Sequence, residues 1–94
     1  MSYSISAKGK TQRDLTNNIV DNFDLNVIKH QPIHHKDKQA VIDAAESAVA
    51  LLPSESEHGY VASLNGSIST VNDEVQSVNF SIYAAIATSS LEDK

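Results

Sequence analysis

The sequence predicts an α+β fold in the order β-α-α-β-β, with a three-stranded, mainly antiparallel sheet and a two-helix hairpin packed on one of its faces. Two stretches, residues 3–8 and 62–69, alternate strictly between apolar and small polar side chains, and this period of two is typical of strands with one buried face. Between them, apolar residues recur at helical spacing. Helices on one face leave the other face open, and the open face consists mainly of serine and asparagine.

The chain of 94 residues is predicted to form a single domain over residues 1–94, with residues 88–94 as a frayed tail. Because aromatic residues make up only 5% of the sequence, the core must consist mainly of Ile, Val, Leu and Ala. The absence of cysteine excludes disulfides and zinc sites built on thiolates. We expect no signal peptide, and no apolar run approaches the roughly 20 residues of a membrane span.

The first strand is predicted over residues 2–9, and the first helix follows it. Thr11 and Asp14 have the spacing of a capping box at the helix start, and Pro32 ends the helix because it disfavours the helical conformation of the preceding residue. The helix carries an apolar stripe at spacings near four, which consists of Leu15, Ile19, Phe23, Val27 and Ile28. Its Asn and Asp residues are mediocre helix formers, so packing must stabilise this helix.

The second helix is predicted to open within residues 34–38 and to end at Pro53. Its buried face is rich in alanine and consists of Val41, Ala44, Ala45, Ala48, Val49 and Leu52. Small side chains on this face allow a close approach to the first helix or to the sheet. A polar loop over residues 54–59 then leads to the second strand.

Two further strands are predicted at about residues 60–71 and 75–87, joined by a short turn. Gly66 inside the second strand indicates a bulge, a bend or a close neighbour. The third strand becomes apolar on both faces, which is typical of a central strand or of one whose outer face is covered. Two strand orders stay open: an antiparallel 1-2-3 order, or strand three in the middle and parallel to strand one. Exposed edges favour an oligomer that extends the sheet or stacks two polar faces.

The net charge of −5 is unevenly distributed along the chain. Residues 1–39 carry six basic and four acidic side chains, whereas residues 40–94 carry one basic and eight acidic side chains. This distribution gives no dense basic surface, so we expect no binding to nucleic acid. The asymmetry is compatible with head-to-tail contacts between subunits, although ordinary solvated surface charge is the simpler interpretation.

One candidate ligand site lies at the junction between the first strand and the first helix. Lys8, Lys10, Thr11 and Arg13 cluster there, and the start of a helix attracts anions. The closely spaced glycines of a phosphate-binding loop are missing. The simpler interpretation is that Gly9 only marks the junction between the strand and the helix. The cluster is nevertheless the candidate site for an anionic, nucleotide-like ligand.

The four histidines offer only weak signals. His30, His34 and His35 flank a proline, and His58 lies in the later loop. The first two have the spacing of a metal-binding pair, but the proline breaks the helix between them. A pH-sensitive contact at the helix junction and exposed loop histidines are the alternatives, and we expect no metal and no cofactor. No Gly-x-Ser-x-Gly elbow is present, so no catalytic residue is assigned and we expect no enzymatic activity.

The open polar face of the sheet is the candidate interaction surface. It consists of Ser63, Asn65, Ser67, Ser69, Asn79, Ser81 and Tyr83, with Ser4, Ser6 and Lys8 beside them. Sheet faces that bind RNA carry two or three exposed aromatic side chains. Only Tyr83 is well placed for this role, so RNA binding is not expected.

Three features of the chain resemble the small accessory proteins of tailed bacteriophages. They are the serine-rich opening over residues 3–9, the helical middle with Gln31-Pro32, and the Ser/Val/Ile hairpin that ends in Ile82-Tyr83-Ala84. The resemblance implies a virion component, such as a capsid or tail accessory subunit, or an early protein that blocks a host defence. It implies a location in the bacterial cytoplasm or the virion, and it identifies no functional residues.

The sequence thus predicts a non-enzymatic interaction or structural protein that acts as a homo-oligomer. Its expected partners are further copies of itself and another viral or host protein, with neither nucleic acid nor membrane among them. One alternative is a small binding protein that sequesters an anionic, nucleotide-like ligand. Another is a hydrolase that combines a serine with His34, His35 or His58.

Overall fold

The structure is a computed structural model that describes residues 2–88. Its elements, in chain order, are β1 (Ser2–Gly9), α1 (Gln12–Phe23), a π-helical segment (Asp24–Ile28), α2 (His35–Ala50), β2 (Tyr60–Val71) and β3 (Glu74–Ile86). The predicted α+β class and the β-α-α-β-β order are confirmed. The predicted frayed tail lies outside the described residues except for Thr88.

The sheet has the order β1-β2-β3, and both strand pairs are antiparallel. Of the two predicted orders, the structure has the antiparallel 1-2-3 order, and β3 lies at an edge. β1 pairs with residues 60–67 of β2, so the rest of the β2–β3 hairpin extends beyond it. Asn72 and Asp73 form the two-residue turn at its tip, with φ angles of 54° and 67°. Asn and Asp tolerate this left-handed conformation, which hairpins with two-residue turns require.

Residue 66 is glycine because a neighbouring group lies too close for a side chain. Of the bulge, the bend and the close neighbour that the sequence indicated, the close neighbour is the one found here. A Cβ atom at this position would collide with the carbonyl oxygen of Asn79 and with the hydroxyl of Tyr3. Tyr3 crosses the sheet at this point, and its ring packs edge-on against Phe23 with centroids 5.7 Å apart. The bulge lies further along the hairpin, where the β2–β3 register shifts between Ser69 and Thr70.

The two helices cover one face of the sheet and enclose the core. α1 lies over β1 and β2, while α2 packs beside α1 and contacts β3. The core residues are Ile5, Leu15, Ile19, Phe23, Val27, Val41, Ala45, Val49, Tyr60, Ala62, Leu64 and Ile68. On α2 the buried face is narrower than predicted, because Ala44, Ala48 and Leu52 are only partly buried. The result is a thin, two-layered molecule of 48 × 27 × 16 Å.

The predicted apolar stripe of the first helix explains its change to a π-helix. Leu15, Ile19, Phe23 and Val27 are all buried and follow one another at steps of four. In an α-helix with 3.6 residues per turn, each such step rotates the side chain by about 40° around the axis. A wider turn over Asp24–Ile28 returns Val27 to the buried face, and Ile28 is partly buried beside it.

Side-chain hydrogen bonds fix the ends of both helices. Thr11 Oγ1 accepts a hydrogen bond from the backbone N–H of Asp14 at 3.0 Å, which confirms the predicted cap. At the same end of the hairpin, just after the end of α2, the carbonyl oxygens of Leu52 and Pro53 accept hydrogen bonds from Gln12 Nε2 at 2.9 and 3.2 Å. These contacts satisfy carbonyl groups at the end of α2 that have no partner within the helix.

Candidate protein-interaction surface

The outer face of the sheet is polar, as predicted. The strand register aligns the side chains in rows across the three strands: Ser2, Ser67 and Asn79; Ser4, Asn65 and Ser81; Ser6, Ser63 and Tyr83. Ser4 Oγ donates a hydrogen bond to Asn65 Oδ1 at 2.7 Å, and the Tyr83 side chain is 67% exposed. This face offers many neutral donors and acceptors on a broad surface, which suits contact with another macromolecule.

The two edges of the sheet can be compared through the direction of their backbone groups. Along a strand, successive residues direct their N–H and C=O groups alternately to the two sides. The Ala87 N–H donates to the Gly59 carbonyl at 2.9 Å, so odd-numbered residues of β3 face β2. By the same alternation and register, even-numbered residues of β1 and of regular β3 direct their backbone groups outward, to the two sheet edges.

The β1 edge is closed by asparagine side chains from α1. Asn18 Nδ2 donates to the Lys8 carbonyl oxygen at 2.6 Å, and Asn22 Nδ2 donates to the Ser6 carbonyl oxygen at 3.0 Å. Asn26 Nδ2 in turn donates to the Asn22 carbonyl at 2.9 Å. An incoming strand would have to displace these amides before it reached the carbonyl oxygens of Lys8 and Ser6.

The β3 edge has no such cover among the described residues. The regular part of β3 directs the backbone groups of five residues outward, namely Val78, Phe80, Ile82, Ala84 and Ile86. No charged residue and no proline occurs between Val75 and Ala87. Both are devices by which natural edge strands resist pairing with another chain. Within residues 2–88, side chains therefore cover part of the β1 edge and leave the β3 edge uncovered.

The inner face of β3 is incompletely covered by the helices. Val78, Phe80, Ile82 and Ala84 pack against the core but are only partly buried. The β2 residues that face three of them are buried, namely Ile68, Leu64 and Ala62. Ile86, at the end of the strand, is 46% exposed. An apolar strip thus runs along the same edge that has outward-facing backbone groups.

The structure divides the predicted anion site. Lys8 and Lys10 line a cleft of about 650 Å³, together with Asp14 and Asp21. Arg13 lines a different cleft, with Glu46 among its neighbours. The Thr11 hydroxyl is the helix cap, and Gly9 packs so closely against the first turn of α1 that a Cβ would collide with its backbone. Carboxylates in the clefts reduce their attraction for an anion.

The histidines are not brought together with the carboxylates that a metal site needs. Among residues 2–88, no group of three or more His, Cys, Asp or Glu side chains is arranged to hold a metal ion. His34 shares a cleft of about 340 Å³ with Asp73 and Glu74 of the hairpin tip. His58 lies 3.9 Å from Glu57.

The asparagines that close the β1 edge were not recognised from the sequence as functional. The sequence pattern places Asn18 and Asn22 mainly on the solvent side of the helix, because polar residues outside an apolar stripe are usually solvated. Their four-residue spacing on a helix that follows β1 was the available signal, since residues i and i+4 lie on one face. Their position beside the strand depends on how the helix packs.

Comparison with protein-family models, with curated proteins and with solved structures finds no match for this chain. Within the described residues, neither helix combines the length and apolar character that crossing a membrane requires.

Proposed function

We propose that this protein is a non-enzymatic interaction subunit that acts as a homo-oligomer, of the kind found among the capsid or tail accessory proteins of phage virions. The observation that carries the proposal is a difference between the two sheet edges: among the described residues, side chains cover part of the β1 edge and none covers the β3 edge. On β1, Asn18 and Asn22 occupy the outward carbonyl oxygens of Lys8 and Ser6. On β3, outward backbone groups lie along residues 75–87, which carry no charged side chain. An available edge strand binds another strand through main-chain hydrogen bonds.

The shape of the available surface favours a protein partner over a small molecule. Small-molecule sites are concave pockets that enclose most of the ligand. Here the polar face, the open edge and the apolar strip of β3 form one continuous surface on a molecule only 16 Å thick. A second polypeptide is able to contact all three parts at once.

The phage-type assignment is a narrower proposal, and it relies on the resemblance of the serine-rich opening and the hairpin. Virion accessory subunits act through repeated contacts with copies of themselves and with a larger assembly. A small chain with one protected and one available edge suits this role. The alternative of blocking a host defence protein would use the same surface with a different partner.

Two measurements test the proposal. The first is the solution mass by light scattering at low and high salt, for which we expect a defined oligomer. The second is quantitative mass spectrometry of particles purified from the host that carries the gene, for which we expect a fixed copy number per particle. A monomer at all concentrations that is also missing from such particles would refute the assignment.

The nucleotide-binding alternative has weaker support from the geometry. Asp14 and Asp21 lie in the same cleft as the two lysines, and a carboxylate opposes the binding of phosphate. Thermal unfolding with and without nucleoside di- and triphosphates separates the two functions. A ligand that binds the folded state alone raises the melting temperature, and we expect no such rise.

A further inference from the structure

We propose that the partner at the open edge is a second copy of this chain, which pairs its β3 antiparallel to the first about a two-fold axis at Ile82. The product is a closed dimer with a continuous six-stranded sheet and all four helices on one side. This inference rests on the proposed function and specifies its surface, partner and symmetry.

The backbone of β3 supplies the hydrogen bonds for this contact. Five residues between Val78 and Ile86 direct N–H and C=O groups outward. In the two-fold register, Ile82 faces Ile82 of the second copy, Phe80 and Ala84 face each other across the contact, and so do Val78 and Ile86. Fully paired, this register gives about ten backbone hydrogen bonds, which is the number in a typical protein interface. The β-bulge limits the pairing to the regular part of the strand.

The side chains match in the same register. Phe80 faces Ala84 of the second copy, and Val78 faces Ile86, so a large side chain meets a small one on the inner face. These four positions belong to the apolar strip that the helices leave partly exposed. On the outer face, Ser81 faces Tyr83, whose side chain is otherwise 67% exposed. Pairing therefore covers the apolar strip and the aromatic ring together.

A second copy explains why the two edges differ. If both edges were open, β3 of one copy would also pair with β1 of the next, and such head-to-tail contacts form open chains. Asn18 and Asn22 occupy the outward carbonyl oxygens of Lys8 and Ser6 on β1 and disfavour that contact. The β3–β3 contact is then favoured, and a two-fold contact closes after two subunits.

The charge distribution also permits this contact. Each chain has a net charge of −5, so most surfaces of two copies repel each other. The interval from Val75 to Ala87 carries no charged side chain, which makes β3 an edge where two copies meet without like charges facing each other. Because no charges pair across the contact and salt screens the repulsion between the two chains, added salt is expected not to weaken the dimer. The head-to-tail contacts considered from the charge asymmetry would instead weaken as salt is added.

Disulfide cross-linking tests the register directly, because the natural chain has no cysteine. In the two-fold register, the Cα atoms of the two residues 82 lie about 5.5 Å apart, within the range that a disulfide spans. Residue 84 of one copy faces residue 80 of the other, so the two residues 84 are displaced by four positions, or about 13 Å, along the strands. Ile82→Cys is therefore expected to form a covalent dimer under mild oxidation, and Ala84→Cys is not. Equal cross-linking of both variants, or none in a variant with a native circular dichroism spectrum, would overturn the proposal.

A second pair of variants keeps the test independent of how well Ile82→Cys folds. Ile86→Lys places a charge at both ends of the contact, on a side chain that is 46% exposed in the single chain. Leu51→Lys is the matched control, since Leu51 is 87% exposed and lies outside the sheet. Sedimentation should give a dimer for the natural chain and for the control. Ile86→Lys should raise the dissociation constant at least about tenfold, because charges are buried without partners. Equal dissociation constants for both variants would overturn the proposal.

The outcome also separates this inference from the proposed function. A chain that is monomeric in solution but present at a fixed copy number in purified particles would overturn the β3–β3 dimer and leave the proposed function standing. A β3–β3 dimer absent from every particle would confirm the surface and overturn the phage-type assignment.

Discussion

Removal of the asparagine amides that close the β1 edge should change the association of the chain far more than its stability. The perturbation is the double substitution Asn18→Ala and Asn22→Ala. It removes the hydrogen bonds to the carbonyl oxygens of Lys8 and Ser6, with donor–acceptor distances of 2.6 and 3.0 Å. The single substitution Asn17→Ala is the control, because Asn17 is exposed on the same helix.

The expected change in stability follows from two opposing terms. Each lost hydrogen bond costs about 0.5–1.5 kcal/mol in the free energy of unfolding, and the exposure of Asn18 places its bond at the low end. Replacement of Asn by Ala inside a helix contributes up to about 0.7 kcal/mol per residue in the opposite direction. The double variant is therefore expected to lose between about 0 and 2 kcal/mol in the free energy of unfolding. Asn17→Ala measures the propensity term alone.

The assays are urea denaturation for stability and sedimentation velocity for association. In the double variant both sheet edges present outward carbonyls, so β1 of one copy becomes available to β3 of another. We expect species larger than a dimer, in proportions that increase with protein concentration, whereas Asn17→Ala keeps the mass of the natural chain.

The result that would refute this reasoning is a double variant with native stability and the same mass as the natural chain at every concentration. It would mean that the position of α1, and not the two amides, protects the β1 edge. A loss of stability well above 2 kcal/mol would contradict the energy estimate instead, since two partly exposed hydrogen bonds do not account for it.

Four further predictions concern the fold and the alternative site. Gly66→Ala should lower the free energy of unfolding in urea by about 2–3 kcal/mol, because the added methyl group collides with backbone and Tyr3; an unchanged value would contradict the close packing. Gln12→Ala should cost about 1–2 kcal/mol by the same assay, because its amide caps the end of α2; a Gln12→Glu variant, which cannot donate, should lose as much. Burial raises the pKa of the Tyr3 hydroxyl from its ordinary value of 10.0. The unfolded chain therefore ionises first, and the free energy of unfolding should fall as the pH rises above 10. Tyr3→Phe should reduce this fall in urea denaturation. Nucleoside triphosphates should not raise the melting temperature of the natural chain or of the Lys10→Ala variant. A triphosphate-dependent rise that Lys10→Ala abolishes would instead support the ligand-binding alternative.

The hydrophobic pattern predicted the elements and the core of this fold well. The strict alternation around Ile5 and Leu64 identifies the buried sheet face, and the stripe from Leu15 to Val27 identifies the buried helix face. These patterns are local, and burial of one face determines them. The strand order was not predictable in the same way, because the apolar character of β3 is equally compatible with a central strand.

The features that define the interaction surface depend on contacts between distant residues. Asn22 and Ser6 meet only after α1 has packed across β1, and the amide–carbonyl pair leaves no signature in either segment alone. Likewise, the sequence identified the polar residues of the outer face, but it did not show which strands form the two edges of the sheet. The change to a π-helix at Asp24 has a local cause in the four-residue spacing, and it was still missed because the pattern was treated as an α-helix throughout.

The closure of one edge by side chains has a consequence for how this chain could assemble. A strand or a bulge would protect the β1 edge permanently, whereas two amide hydrogen bonds cost only about 1–3 kcal/mol to displace. The β3 edge therefore pairs first, because no groups have to be displaced there, and β1 remains a weaker second edge. In a crowded assembly with a high local concentration, that second edge could extend the dimer into a longer sheet. The order of the two contacts follows from their difference in free energy.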